Sequence, residues 1–107
     1  MKVYFISGLA ADKRVFKHIN LPTGFEPVYL DWIVPLKNET LESYALRLAE
    51  KIDINENFSL VGLSMGGMIA TEITKKLNPV TTILLSSVPS YKHFPVQFRI
   101  AYFLRLH

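Results

Sequence analysis

Four short apolar runs punctuate the chain, at positions 3–6 (VYFI), 27–32 (PVYLDW), 58–63 (FSLVGL) and 81–86 (TTILLS). All are of strand length, and most are nearly continuous rather than alternating, the pattern of strands buried on both faces. Helical patterns separate them. In 12–20, Asp12 can cap and Val15, Phe16 and Ile19 recur at helical spacing. The segment LPTGFEP then breaks the chain. Thr40 is a second cap, with Glu42 in the first turn and Leu41, Ala45, Leu48, Ala49 and Ile52 in one stripe. A third helix starts at Met65, with Met65, Ile69, Ile73 and Leu77 in one i, i+4 row and Met68 beside it. Lys75 and Lys76 suit its C-terminal dipole, and Asn78-Pro79 ends it.

The order βαβαβαβ with right-handed crossovers predicts an α/β fold, a three-layer αβα arrangement in which a parallel sheet carries helices on both faces. Beyond Pro89, a last helix is expected from about Pro95 to Leu106. Phe98, Ala101, Tyr102 and Arg105 would share one side, with apolar residues around much of the axis.

Composition narrows the classes. At 107 residues the chain holds one domain at most, and 50% hydrophobic residues are enough for a core. There is no cysteine, which excludes disulfides and thiolate metal sites. The net charge of +3 comes from scattered Lys and Arg with no dense basic run, so no nucleic-acid partner is expected. No apolar stretch reaches the roughly 18 residues of a membrane span. The N-terminal MKVYFISGLAAD loosely mimics a signal peptide, but its run is short and reads better as a buried strand. A cytoplasmic protein without membrane contact is the expectation.

The chemistry concentrates at 58–73, FSLVGLSMGGMIATEI. Gly62-Leu63-Ser64-Met65-Gly66 fits G-x-S-x-G between a predicted strand and a predicted helix. A tight turn there strains the serine backbone and leaves its hydroxyl clear. Glycines at 62 and 66 remove side chains that would otherwise clash. The helix start brings unpaired N–H groups and a positive dipole end near Ser64, and both favour an oxyanion.

LVGLSMGG resembles the nucleophile elbow of the α/β-hydrolase superfamily, and the resemblance runs along nearly the whole chain. VYFISGLAAD is similar to the strand and oxyanion loop of that family, with Ser7-Gly8-Leu9 where His-Gly-x is usual. VYLDWIVP is similar to the next strand and its exit loop, VTTILLSSVPS to the strand after the elbow helix, and 89–107 to the opening of a lid or cap. The resemblance implies a serine hydrolase that cleaves an ester, thioester or amide of a small acyl substrate by acyl transfer to water, without a cofactor. Ser64 would be the nucleophile, the backbone N–H groups of Leu9 and Met65 the oxyanion hole, and Gly62 and Gly66 the elbow glycines.

A serine needs a base, and the base an orienting carboxylate. In this family they follow in the order Ser, Asp or Glu, His. After Ser64 the chain holds Glu72, His93 and His107 and no Asp. Glu72 falls two turns along the elbow helix, His93 on the lid-like segment, and His107 is the last residue. The expectation is therefore the N-terminal portion, 1–107, of one α/β-hydrolase domain, a partial fold lacking its acid and base. Bland readings stand beside this one. Asp12 reads as a helix cap, Asp31 as the end of a strand and His18 as solvated beside Lys17. Gly66 and Gly67 serve close packing, and Met65 and Met68 either fill core or line an acyl pocket.

Two other classes remain. One is a non-catalytic binding or interaction module that keeps the elbow as scaffold. The other is a nucleotide-binding sheet, against which GLSMGG lacks G-x-G-x-x-G spacing. A partial fold would leave the 81–86 edge and the terminal helix uncovered, so a homodimer through either is expected.

Overall fold

The computed structural model describes residues 1–8, 13–17, 19–88 and 97–105. Its elements in chain order are β1 (Lys2–Ile6), a 3₁₀ turn (Lys13–Phe16), β2 (Glu26–Leu30), α1 (Leu41–Leu48) running into a second 3₁₀ turn (Ala49–Lys51), β3 (Phe58–Leu63), α2 (Met65–Lys76), β4 (Thr81–Val88) and β5 (Gln97–Arg105).

The strands form one sheet in the order β2-β1-β3-β4-β5. β1 is parallel to β2 and to β3, and β3 is parallel to β4, with Ile6 level with both Leu30 and Gly62 and Leu63 level with Leu85. This is the mixed α/β arrangement that the apolar runs predict. From β1 the chain steps one way, to β2. From β2 it crosses β1 to β3 and continues to β4 the other way. Right-handed crossovers then require the first connection to lie on one face and the next two on the opposite face. The burial pattern agrees. α1 and α2 pack with Tyr4, Ile6, Leu30, Phe58 and Leu60 on one face. Phe16, Val15, Ile19 and Leu21 pack with Val3, Phe5, Val61, Leu63 and Leu85 on the other.

That second face is thinner than expected. The predicted helix over 12–20 is a single 3₁₀ turn among the described residues, held by Lys17 N–H to Arg14 C=O at 3.2 Å and Ile19 N–H to Phe16 C=O at 2.9 Å. Both α-helices therefore lie on one face. The apolar spacing survives because one anchor suffices. Phe16 is 1% exposed with its ring 4.9 Å from that of Phe5, and burial of one such side chain is worth about 1.5–3 kcal/mol.

α1 begins as its sequence predicts, with Thr40 Oγ1 accepting from Ser43 N–H at 3.1 Å. In α2, Ile69 and Ile73 are fully buried and carry the helix onto the sheet.

The terminal segment differs from expectation. Residues 97–105 are a strand, not part of a 95–106 helix, and β5 runs antiparallel to β4 along Thr81–Val88. The register shifts between Leu84, level with Tyr102, and Leu85, level with Ile100, so Ala101 forms a bulge. The physical reason is the edge. β4 alone would present a row of unpaired N–H and C=O groups, and a β-branched and aromatic segment satisfies them as a strand. The uncovered 81–86 edge and the terminal helix, both premises of the expected homodimer, are thereby removed. Within the segment read as a lid opening, 89–96, 106 and 107 lie outside the described residues. Among the described residues no helix is long and apolar enough to cross a membrane.

Candidate active site

Ser64 stands at the C-terminal edge of the parallel strands, between the end of β3 and the first residue of α2. It lies where the connections part. β1 leads to β2 on one side and β3 to β4 on the other, the kind of switch point at which α/β sheets open a crevice.

The local backbone is unusual. Ser64 has φ 55° and ψ −117°, a combination natural to glycine at the first central position of a type II′ turn. It is held by its neighbours. Ser64 N–H donates to Leu85 C=O at 2.9 Å, and Gly67 N–H donates to Ser64 C=O at 2.9 Å. Serine is a favoured N-cap, yet the Ser64 side chain makes no capping bond to α2. The hydroxyl is exposed at the helix start and unused by the helix.

The flanking glycines meet a steric demand. A Cβ on Gly62 would lie 2.5 Å from Gly66 C=O oxygen and 2.6 Å from Gly67 Cα. A Cβ on Gly66 would overlap the Ile6 carbonyl oxygen and come within 2.5 Å of that of Ser7. The end of β3, the first turn of α2 and the end of β1 thus touch backbone to backbone. Gly67 is less constrained, since a Cβ there would meet Leu84 Cδ2 and Gly62 C=O oxygen at 3.4 Å. Gly8 borders the site, its Cβ position lying 3.5 Å from Ser64 Cβ.

Met65 is the first residue of α2, so its N–H has no partner within the helix and sits at the positive dipole end. Met65 is 38% exposed and Met68 54%, so neither is core, unlike Ile69 and Ile73 in the same helix. Leu9, the other expected oxyanion donor, lies outside the described residues, as do Asp12, His18, His93 and His107. Glu72 Oε1 is paired with Lys75 Nζ at 3.1 Å, away from the serine's end of α2. Asp31 is exposed just beyond β2, two strands from β3, or roughly 10 Å at ordinary strand spacing. Among the described residues no group of His, Asp or Glu could hold a metal ion.

Sequence reasoning missed a polar network on this edge. Trp32 Nε1–H donates to Ser7 C=O at 2.9 Å. The Tyr44 hydroxyl accepts from Ile33 N–H at 2.8 Å and donates to Ile33 C=O at 2.7 Å. Arg47 donates to both Glu39 carboxylate oxygens, at 2.6 and 2.7 Å, and to Val34 C=O at 2.9 Å. The Glu39 side chain is only 3% exposed. The Arg47 hydrogen bond, helped by Leu36 N–H and the Ser43 hydroxyl, pulls its carboxyl down to about 2 against the opposing effect of burial. Arg47 is raised in turn, chiefly by its hydrogen bond to Glu39. The available signal was that Trp32 is the only tryptophan, on a strand exit where an indole N–H needs an acceptor.

Comparison with protein-family models, with curated proteins and with solved structures returned no match.

Proposed function

We propose that the chain carries the nucleophile half of a serine hydrolase of the α/β-hydrolase type, with Ser64 as nucleophile. The observation that carries this reading is the Ser64 backbone. A non-glycine residue held at φ 55°, with its hydroxyl exposed and free of helix capping, costs about 1–3 kcal/mol and persists where its surroundings over-determine it. The strand order and the glycine contacts support the same reading.

In the proposed reaction Ser64 Oγ attacks the carbonyl carbon of an ester, thioester or amide. The carbonyl electron pair moves onto oxygen, where the N–H groups of Met65 and Leu9 stabilise it. Collapse expels the alcohol, thiol or amine, and water then releases the acid and restores Ser64. The serine proton must pass to a base. No histidine falls among the described residues, so base and acid are not assigned.

The test is covalent labelling. A fluorophosphonate probe forms an Oγ–P bond at Ser64 as fluoride leaves and the serine proton passes to buffer. Peptide mass mapping is expected to place the adduct on Ser64 and to lose it in Ser64→Ala. p-Nitrophenyl acetate turnover that disappears in Ser64→Ala would show that a base for the serine lies within the 107 residues. Labelling of Ser64 no faster than of other serines would overturn the proposal and favour a non-catalytic scaffold.

A further inference from the structure

We propose that the loop beyond β2, residues 33–37, is a docking tip for an anionic lipid surface. Val34 and Leu36 enter the boundary between headgroups and acyl chains, and Lys37 meets the phosphates. This docking is independent of the reaction assigned to Ser64.

Val34 is 83% exposed and Leu36 59%. Pro35 between them and Lys37 after them are exposed too. A single exposed apolar side chain is ordinary, but here three apolar residues project in succession. They do so from a loop that is tied down. Ile33 N–H donates to the Tyr44 hydroxyl at 2.8 Å, and that hydroxyl donates to Ile33 C=O at 2.7 Å. Val34 C=O accepts from Arg47 Nη2 at 2.9 Å. Leu36 N–H donates to Glu39 Oε1 at 2.9 Å, and Leu36 C=O accepts from Glu39 N–H at 3.1 Å. Pro35 has no N–H to satisfy. Tyr44 is itself buried, and Arg47 is held by both Glu39 carboxylate oxygens. The tip is therefore held out from the fold.

This backbone pairing selects the occupant. A loop in water has no need of internal partners, because water serves its N–H and C=O groups. A protein partner can offer donors and acceptors of its own. Lipid offers none, and an unpaired backbone group in an apolar medium is costly. On both sides of Pro35 the chain supplies the partners itself. Charge points the same way. The charged residues of 33–39 are Lys37 and Glu39. The Glu39 side chain is 3% exposed and paired with Arg47, whereas Lys37 is exposed. The tip thus presents two large apolar side chains followed by one cation, the combination that suits an anionic interface. Such contact is peripheral, since among the described residues no helix is long and apolar enough to cross a membrane.

The experiment uses the 107-residue chain with vesicles of phosphatidylcholine alone and of equimolar phosphatidylcholine and phosphatidylserine. Co-sedimentation measures partitioning. Quenching of Trp32, the only tryptophan and two residues before Val34, by acyl chains brominated near the headgroup locates the contact. Wild type is expected to partition onto the mixed vesicles with Trp32 quenched. The double variant Val34→Ser/Leu36→Ser is expected to keep its urea midpoint, because both side chains are exposed, and to partition about tenfold less. Lys37→Gln is expected to lose about fivefold on the mixed vesicles and nothing on phosphatidylcholine. Absence of partitioning, partitioning without quenching of Trp32, or equal partitioning of wild type and both variants overturns the proposal. A dimer without lipid affinity that dissociates in the double variant overturns it as well, and gives the tip to a second copy of the chain. Should the double variant unfold, Lys37→Gln and the quenching of wild type decide on their own.

Discussion

Replacing Ser64 with glycine is expected to stabilise the protein, although it deletes the proposed nucleophile. The backbone at 64 sits at φ 55° and ψ −117°, where an L side chain costs about 1–3 kcal/mol and glycine costs nothing comparable. Little is lost in exchange. The side chain is exposed and caps nothing. Both backbone bonds of residue 64, to Leu85 C=O and from Gly67 N–H, are kept. Against the relief stands the greater freedom of glycine in the unfolded chain, about 0.4–1 kcal/mol. The net gain is about 0.5–2 kcal/mol, a rise in Tm of roughly 2–8 °C for a domain of this size. Ser64→Ala is the control. It removes the hydroxyl, keeps the strained Cβ, and is expected within about 0.5 kcal/mol of wild type. Urea unfolding with a common m value measures all three proteins. A Ser64→Gly variant no more stable than Ser64→Ala would refute the claim that backbone strain is stored at this position.

Other outcomes follow from the same geometry. Gly66→Ala is expected to cost about 3 kcal/mol or more in urea unfolding, because its Cβ meets the carbonyl oxygens of Ile6 and Ser7 in a central strand; a loss under about 1 kcal/mol would mean that α2 shifts easily on the sheet. Glu39 has a folded pKa depressed from 4.5 to about 2, chiefly by the Arg47 hydrogen bond. Its stabilisation is fully present above the unfolded value and is lost as pH falls from about 4.5 toward 2. Glu39→Gln is expected to flatten that part of the stability–pH curve, and an unchanged slope would contradict the pairing. Removing 97–107 is expected to uncover the β4 edge along Thr81–Val88 and promote association. Sedimentation identical to that of the intact chain would show that β5 does not protect that edge.

β1 and β3 were legible because burial on both sides writes itself as continuous apolar runs, whereas β2 was legible by its apolar residues although only Leu30 of it is buried. The strand-to-helix turn at Ser64 was legible because its demands are local. A reversed backbone, glycines where chains touch and a helix start all fall within five residues. Thr40 and the Ile69–Ile73 stripe were read for the same reason, since capping and helical periodicity span only a few positions.

What the tertiary structure decided depends on partners distant in sequence. Whether 97–105 is helix or strand turned on the unpaired edge of β4, a demand invisible within the segment. Among the described residues the first crossover holds one 3₁₀ turn, and its Phe16, with Val15, Ile19 and Leu21 beside it, meets a patch of sheet that no local pattern reveals. Trp32 reaches Ser7 across 25 positions, and no spacing rule announces such a bond. Periodicity records which side of an element is buried. Only the assembled sheet determines which carbonyl stands within 2.9 Å of an indole N–H, because that distance is fixed by how strands and helices pack and not by the residues between them.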